Sequence, residues 1–136
     1  MHSPLINDEL ATDFASWVDQ ILLKYRAVKV VAHNFNIYTH EKEFAIQLIG
    51  ASTFDEVEED WACDEVFSSG EDLFYLPHSL VSADWKKGLA AAKTLIKSYL
   101  KRGKEARRLQ AGRAVAVGFV DGNLHVVYNK TKSEES

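Results

Sequence analysis

The apolar residues of this chain switch between two spacings along the sequence, and this switching constrains the fold more than any other feature. In residues 8–26 they recur every three or four positions, which predicts an amphipathic helix. In residues 28–38 and 44–49 they alternate with polar or small residues, which predicts two strands. The short polar segment from Thr39 to Glu43 separates the two strands and therefore predicts a hairpin.

The second half of the chain repeats the same order. Ser82 is placed to cap a second amphipathic helix, whose buried apolar stripe is expected to start at Trp85, and Gly103 is placed as the glycine that ends it. Alternation in residues 114–119 and again in residues 124–128 predicts two further strands. An Asp-Gly pair lies between them and is the strongest hairpin signal in the sequence.

These elements together predict an α+β fold. A mostly antiparallel sheet of four to six strands, with two main helices packed on one face, would bury both helical stripes. Residues 54–80 interrupt the pattern and are interpreted as an irregular excursion holding one or two short strands. The length suits one domain covering residues 1–136, and polar residues 129–136 are expected to form a disordered tail.

Charge is distributed very unevenly along the chain. The formal net charge is −4, but residues 41–72 hold eleven carboxylates and one lysine, whereas residues 86–113 hold ten basic residues and one acidic residue. Two interpretations follow. Either the two regions face each other and neutralise within the fold, or one of them is exposed to a partner. Exposed ion pairs add only ~0–1 kcal/mol each to the free energy of unfolding, so stability alone does not require this charge pattern. Summed like charges would accelerate association with an oppositely charged partner.

The densest run of carboxylates is residues 55–65, called the acidic segment below, in which seven of eleven side chains are acidic. Trp61 lies in the middle of this run. A large aromatic residue there either anchors the segment to the core or is an exposed contact in a binding surface. The candidate partner-binding residues are Asp55, Glu56, Glu58, Glu59, Asp60, Trp61, Asp64 and Glu65.

No catalytic signature is present, and no catalytic residue is assigned. The single cysteine, Cys63, has acidic sequence neighbours that would raise its thiol pKa, so a small buried hydrophobic residue is the favoured interpretation. His33 and His125 lie on predicted strands. An alternative hypothesis is therefore a small enzyme or ligand-binding protein in which these two histidines and Cys63 line a pocket.

Metal and cofactor motifs are also lacking, and neither a metal nor a cofactor is expected. No two histidines are four positions apart, as a helical metal pair requires. The adjacent carboxylates lack the alternating spacing and the glycine of a calcium loop. The glycines at 112 and 118 flank a strand and lack the Lys-Ser or Lys-Thr of a phosphate loop.

The charge and the hydropathy of the chain indicate that its expected partners are other proteins. A net charge of −4 argues against general nucleic-acid binding, although RNA binding through residues 86–113 is a third interpretation. No apolar run approaches the ~20 residues that span a bilayer, so no membrane partner is expected. The N-terminus lacks a basic region followed by an apolar run, which predicts a cytoplasmic protein.

Three segments carry a resemblance to known proteins: residues 47–55 (QLIGASTFD), 60–67 (DWACDEVF) and 117–122 (VGFVDG). In these segments the chain resembles a loose group of small bacterial cytosolic proteins without an assigned enzyme activity. Some of these resemble immunity proteins, which bind and block a toxin domain. The resemblance covers most of the chain and implies a non-catalytic protein-binding module, but it identifies no contact residue. Combined with the charge pattern, it suggests that the acidic segment docks a basic partner.

Overall fold

The computed structural model describes residues 7–130 and confirms the α+β fold, with helices on one side of a six-stranded sheet. Four segments are α-helical: α1 Asp8–Lys24, α2 His78–Val81, α3 Trp85–Arg102 and α4 Ala106–Gln110. The strands are β1 Ala32–Thr39, β2 Glu43–Ala51, β3 Glu65–Ser68, β4 Phe74–Pro77, β5 Ala114–Phe119 and β6 His125–Asn129. A 3₁₀ helix, Glu59–Cys63, precedes β3.

The sheet has the order β3-β2-β1-β5-β6 and is mostly antiparallel, as predicted. Both expected hairpins form, β1 with β2 and β5 with β6. The exception is the central pair β1 and β5, which run parallel. The excursion supplies two short strands, β3 and β4, which pair with the two ends of the same edge of β2. Ser69 fills the gap between them, because its Oγ accepts a hydrogen bond from Leu48 N at 3.1 Å.

Both long helices bury their apolar stripes on the same face of the sheet. α1 begins where Asn7 Oδ1 accepts a hydrogen bond from Leu10 N at 2.7 Å, the capping that its sequence predicts. One continuous core joins the helices to the strands. It includes Phe14, Trp17, Val18 and Ile21 of α1, Leu95, Ile96 and Tyr99 of α3, and Phe35, Ile37, Phe44, Ile46, Leu48, Val115 and Val117 of the sheet.

The two ends of α3 differ from the sequence prediction. The N-cap is Asp84 rather than Ser82, and Asp84 Oδ1 accepts a hydrogen bond from Lys86 N at 3.0 Å. Gly103 caps the C-terminus with φ −66°, so left-handed backbone is not the reason for a glycine there. A Cβ atom at this position would lie 2.4 Å from the ring of Tyr99, and this close approach is what requires glycine.

The other face of the sheet, called the far face below, is covered in part by the acidic segment. Beneath the segment, β1 and β5 present the small side chains of Ala32, Ala114 and Ala116. Trp61 packs onto these alanines together with Ile49 and Ala51 of β2. Because side chains alternate across a strand, the same strands face the helices with Phe35 and Val115. The sheet is therefore packed on both faces.

The C-terminal tail was expected to span residues 129–136. Asn129 belongs instead to β6, and residues 131–136 lie outside the described residues.

Candidate functional site

The acidic segment opens with a turn that is stabilised by its own first carboxylate. Asp55 Oδ1 accepts hydrogen bonds from Val57 N at 2.7 Å and from Glu58 N at 3.0 Å. The bond from Glu58 N, followed by the bond from Val57 N, lowers the pKa of Asp55, because both stabilise the charged form. The segment consequently starts in a fixed conformation with an ionised side chain at neutral pH.

Trp61 is the anchor that holds the segment to the sheet. Its side chain is only 5% exposed, so the core interpretation applies and the indole is not an exposed contact. The ring of Phe54 meets the Trp61 ring edge-on, with centroids 5.2 Å apart. The guanidinium of Arg113 lies 5.6 Å from the centroid of Phe54. The role of Trp61 in a binding surface is therefore to position the carboxylates on either side of it.

Three carboxylates of the segment are held by uncharged donors. Glu59 Oε2 accepts from Leu124 N at 3.1 Å, and Glu56 Oε1 accepts from Asn129 Nδ2 at 3.2 Å. Asp64 Oδ2 accepts from Thr53 Oγ1 at 2.6 Å. These bonds fix the segment to β6, to the loop before it and to the residues after β2. Within the described part of the chain, none of the three carboxylates forms an ion pair.

The remaining carboxylates, Glu58, Asp60 and Glu65, are exposed and have no side-chain partner within residues 7–130. No ion pair within 4.0 Å joins the acidic segment to a described basic residue of 86–113. The reason is geometric, because α3 packs on the helical face of the sheet and the acidic segment packs on the far face. The described structure thus gives no internal neutralisation of this segment by the basic helix.

A shallow hollow opens beside Trp61 on the surface of the segment. Its volume is about 270 Å³, and its lining consists of Thr53, Phe54, Asp55, Glu58, Asp60, Trp61 and Asp64. Four of these seven residues are carboxylates and none is basic. The hollow combines an aromatic floor with an acidic rim, which suits the apolar stem and cationic head of a lysine or arginine side chain.

The expected burial of Cys63 is wrong, because its side chain is exposed. The 3₁₀ helix has about three residues per turn, so a residue two positions beyond the inward-facing Trp61 points away from the sheet. Cys63 therefore lies on the surface of the acidic segment, and the other residues expected to form a pocket with it lie elsewhere.

His33 is buried on the helical face of the sheet, with 3% of its surface exposed. Burial lowers its pKa from 6.5 to about 4, since the charged imidazolium would lose its hydration. Its Nδ1 has no hydrogen-bond partner in the described part of the chain. The ring contacts Phe67, with centroids 5.8 Å apart, and adjoins a small cavity of about 180 Å³ that Arg26 and Arg108 also line.

His125 lies in a different cleft. Its Nδ1 is 3.4 Å from the Nζ of Lys93 on α3. The register places His33 beside Val115 and His125 beside Val117, so strand β5 separates the two histidines by two strand spacings, about 10 Å. Cys63 lines neither cavity. The hypothesised pocket of His33, His125 and Cys63 is therefore absent from the described structure.

The cleft at His125 is a feature that the sequence did not predict. It has a volume of about 760 Å³ and lies between the N-terminus of α3 and the loop that joins β5 to β6. Trp85, expected in the buried stripe of the second helix, is instead 55% exposed at the mouth of this cleft. The lining comes from four separate parts of the chain, so no local motif could have indicated it.

Residues 7–130 contain neither a candidate metal site nor a candidate membrane-spanning helix. This part of the chain contains no group of three or more His, Cys, Asp or Glu side chains arranged to hold a metal ion. None of the helices described here combines the length and the hydropathy that crossing a membrane would require.

Comparison with known proteins identifies no relative. No protein-family model, no curated protein and no solved structure matches this chain.

Proposed function

We propose that this chain is a non-catalytic protein-binding module of the immunity type, which binds a basic partner, such as a toxin domain, through the acidic segment. The observation that carries the proposal is the exposure of Glu58, Asp60 and Glu65, none of which has an ion-pair partner among residues 7–130. The chain contains enough lysine and arginine to neutralise them, yet its basic helix lies on the other face of the sheet. Charges that contribute little to stability but are concentrated on one surface are typical of an electrostatic docking site.

The rigidity of the segment supports the same proposal. Trp61 and the hydrogen bonds of Asp55 and Glu59 hold the backbone in place before any partner arrives. A pre-ordered surface loses less conformational entropy on binding, so more of the electrostatic attraction appears as affinity. The acidic hollow beside Trp61 would receive a lysine or arginine side chain of the partner.

The resemblance to bacterial immunity proteins is what suggests a toxin domain as the partner and the bacterial cytoplasm as the location. A reducing cytoplasm would also suit the exposed thiol of Cys63, because an exposed thiol there stays free of disulfides. RNA binding through the basic helix is a separate hypothesis, which predicts that the protein is retained on a polyanion column at low salt.

The test compares two double variants that change charge equally. Glu58→Lys with Asp60→Lys reverses two segment carboxylates that hold no structural hydrogen bond. Glu41→Lys with Glu71→Lys makes the same change in net charge at exposed positions outside the segment. Each immobilised protein is exposed to lysate of the source bacterium, and the captured proteins are quantified by mass spectrometry across a salt gradient.

We expect the wild type and the Glu41/Glu71 variant to retain the same basic protein at low salt. The Glu58/Asp60 variant should lose it, because two attractive charges become repulsive at the contact. Equal retention of that protein by all three forms would remove the acidic segment from the interface.

A further inference from the structure

The cleft between α3 and the β5–β6 loop, called the aromatic cleft below, has the dimensions of a small-molecule site. Its volume of about 760 Å³ lies within the range of ligand pockets. Trp85 and Phe119 form a corner, with ring centroids 6.3 Å apart and planes at 87°. Leu89 and Phe44 supply apolar surface behind the two rings. A large indole that remains 55% exposed beside such a cavity is positioned to contact a ligand.

The charges of the lining have one sign. Asp84 and Asp121 line the cleft, and no lysine or arginine does. The carboxylate of Asp121 has no hydrogen-bond or ion-pair partner among residues 7–130. Asp84 accepts a hydrogen bond from Lys86 N, so its charge also offsets the positive end of the α3 dipole. The cleft therefore favours a cation over an anion.

The lining also contains one histidine, His125. Its Nδ1 lies 3.4 Å from the Nζ of Lys93 on α3, which does not itself line the cleft. The carboxylates of Asp84 and Asp121 are therefore the acidic groups that a ligand in the cleft would meet.

Trp85 already interacts with a cation of its own chain. The Nζ of Lys86, which does not line the cleft, lies 5.8 Å from the centroid of the Trp85 ring. This contact shows that an ammonium group can approach the indole, and a ligand cation would compete with Lys86 for it. The faces of two perpendicular aromatic rings, with carboxylates nearby, are the arrangement by which proteins recognise alkylammonium ligands.

We propose that the aromatic cleft binds a small organic cation, an alkylated ammonium group carried on a short apolar body. Trp85 and Phe119 contact the cation through their π-faces, and Asp121 supplies the opposite charge. This binding site is distinct from the acidic segment. The two share only the β5–β6 loop, where Glu59 contacts Leu124 on the side of the far face.

The experiment titrates the full chain with choline and, separately, with 3,3-dimethyl-1-butanol, which has the same shape but no charge. Binding is followed by two-dimensional NMR of the indole and backbone amides, and the Trp85 indole signal is assigned from Trp85→Phe. We expect saturable shifts at Trp85, Phe119 and Asp121 with choline, and at least about tenfold weaker binding of the neutral analogue, because cation–π attraction is lost.

Variants separate this site from non-specific attraction to a negatively charged protein. Trp85→Ala should weaken choline binding about tenfold, whereas Trp85→Phe should retain part of the affinity. Asp121→Asn should weaken it roughly twofold to fivefold, as expected for an exposed charge. Asp13→Asn removes an exposed carboxylate on α1 and serves as the matched control with unchanged affinity.

Three results would overturn the proposal. One is equal affinity for choline and its neutral analogue. Another is a set of shifts that maps outside the cleft, or a loss of choline affinity in Asp13→Asn that is as large as the loss in Asp121→Asn. The third is no saturable binding up to roughly 100 mM choline, about a hundred times a weak dissociation constant of ~1 mM. The choline titration does not depend on the acidic segment. If the acidic segment bound no partner, these measurements would be unchanged, so each proposal can fail without the other.

Discussion

At the scale of single residues, Trp61 and Trp85 show how the same side chain takes opposite roles. Trp61 is 5% exposed because β1 and β5 present alanines that leave room for an indole. Trp85 is the first residue of α3, beyond the part of the helix that lies on the sheet. From the sequence, Trp61 could be either a core anchor or an exposed contact, and Trp85 was expected in a buried stripe. Spacing alone does not show where a helix extends beyond the sheet on which it packs.

This contrast gives a matched pair of substitutions. We expect Trp61→Ala to lower the free energy of unfolding by about 3–5 kcal/mol, because it leaves a cavity over the alanine patch. Trp85→Ala should lower it by less than about 1 kcal/mol, since most of that indole is in solvent. Urea denaturation of the two variants measures both values. Equal losses would contradict the assignment of Trp61 as the anchor.

His33 makes stability depend on pH. Its pKa is about 4 in the folded chain against an ordinary value of 6.5, so between these values the unfolded chain binds a proton that the folded chain does not. Stability is therefore lost as the pH falls through this window, by up to about 3 kcal/mol from this residue. His33→Leu should show a correspondingly smaller loss between pH 7 and pH 4, measured by urea denaturation.

The exposed His40 provides the control for that measurement. His40→Gln removes a histidine that is accessible to solvent, so its stability profile should run parallel to that of the wild type. A His33→Leu profile that also runs parallel to the wild type would show that His33 is protonated equally in both states.

At the scale of elements, the helices and strands were predicted well and their ends less well. Periodicity reports which residues face the core, and α1, α3 and the strand pairs β1–β2 and β5–β6 all follow it. Helix ends depend on local hydrogen bonds, and Asp84 rather than Ser82 makes the capping bond of α3. The parallel pairing of β1 with β5 joins segments far apart in the chain, which alternation cannot show.

The packing of α3 on the sheet depends on a small residue at position 88. A Cβ atom on Gly88 would lie 2.4 Å from the ring of Phe44, which is fully buried between the rings of His78 and Phe119. Although alanine is the better helix former by about 1 kcal/mol, we expect Gly88→Ala to destabilise the protein by about 1–3 kcal/mol through overpacking.

Gly122→Ala is the control for this substitution. Its Cβ would meet Phe119 at 3.7 Å, an ordinary van der Waals distance, so its effect should stay within about 0.5 kcal/mol. Thermal unfolding of both variants measures the difference. A stabilised Gly88→Ala variant would mean that helix propensity outweighs the contact with Phe44.

At the scale of the whole molecule, the sheet separates two charged surfaces. The sequence predicted both charged regions but left open whether they neutralise each other, because that depends on which face of the sheet each one covers. In the structure the acidic segment follows Trp61 to the far face, while the lysines of α3 lie on the helical side. Within residues 7–130, Glu58, Asp60 and Glu65 consequently have no cation as a partner.

The most direct measurement is the rate of association with the isolated basic partner, followed by stopped-flow fluorescence over a range of salt concentrations. We expect the wild-type rate to fall steeply with salt, because screening shortens the reach of the carboxylates. At low salt, Glu58→Lys with Asp60→Lys should associate about tenfold or more slowly and depend less on salt, while Glu41→Lys with Glu71→Lys should stay close to the wild type. Equal rates and equal salt dependence for all three proteins would contradict the proposal that the partner docks on the acidic segment.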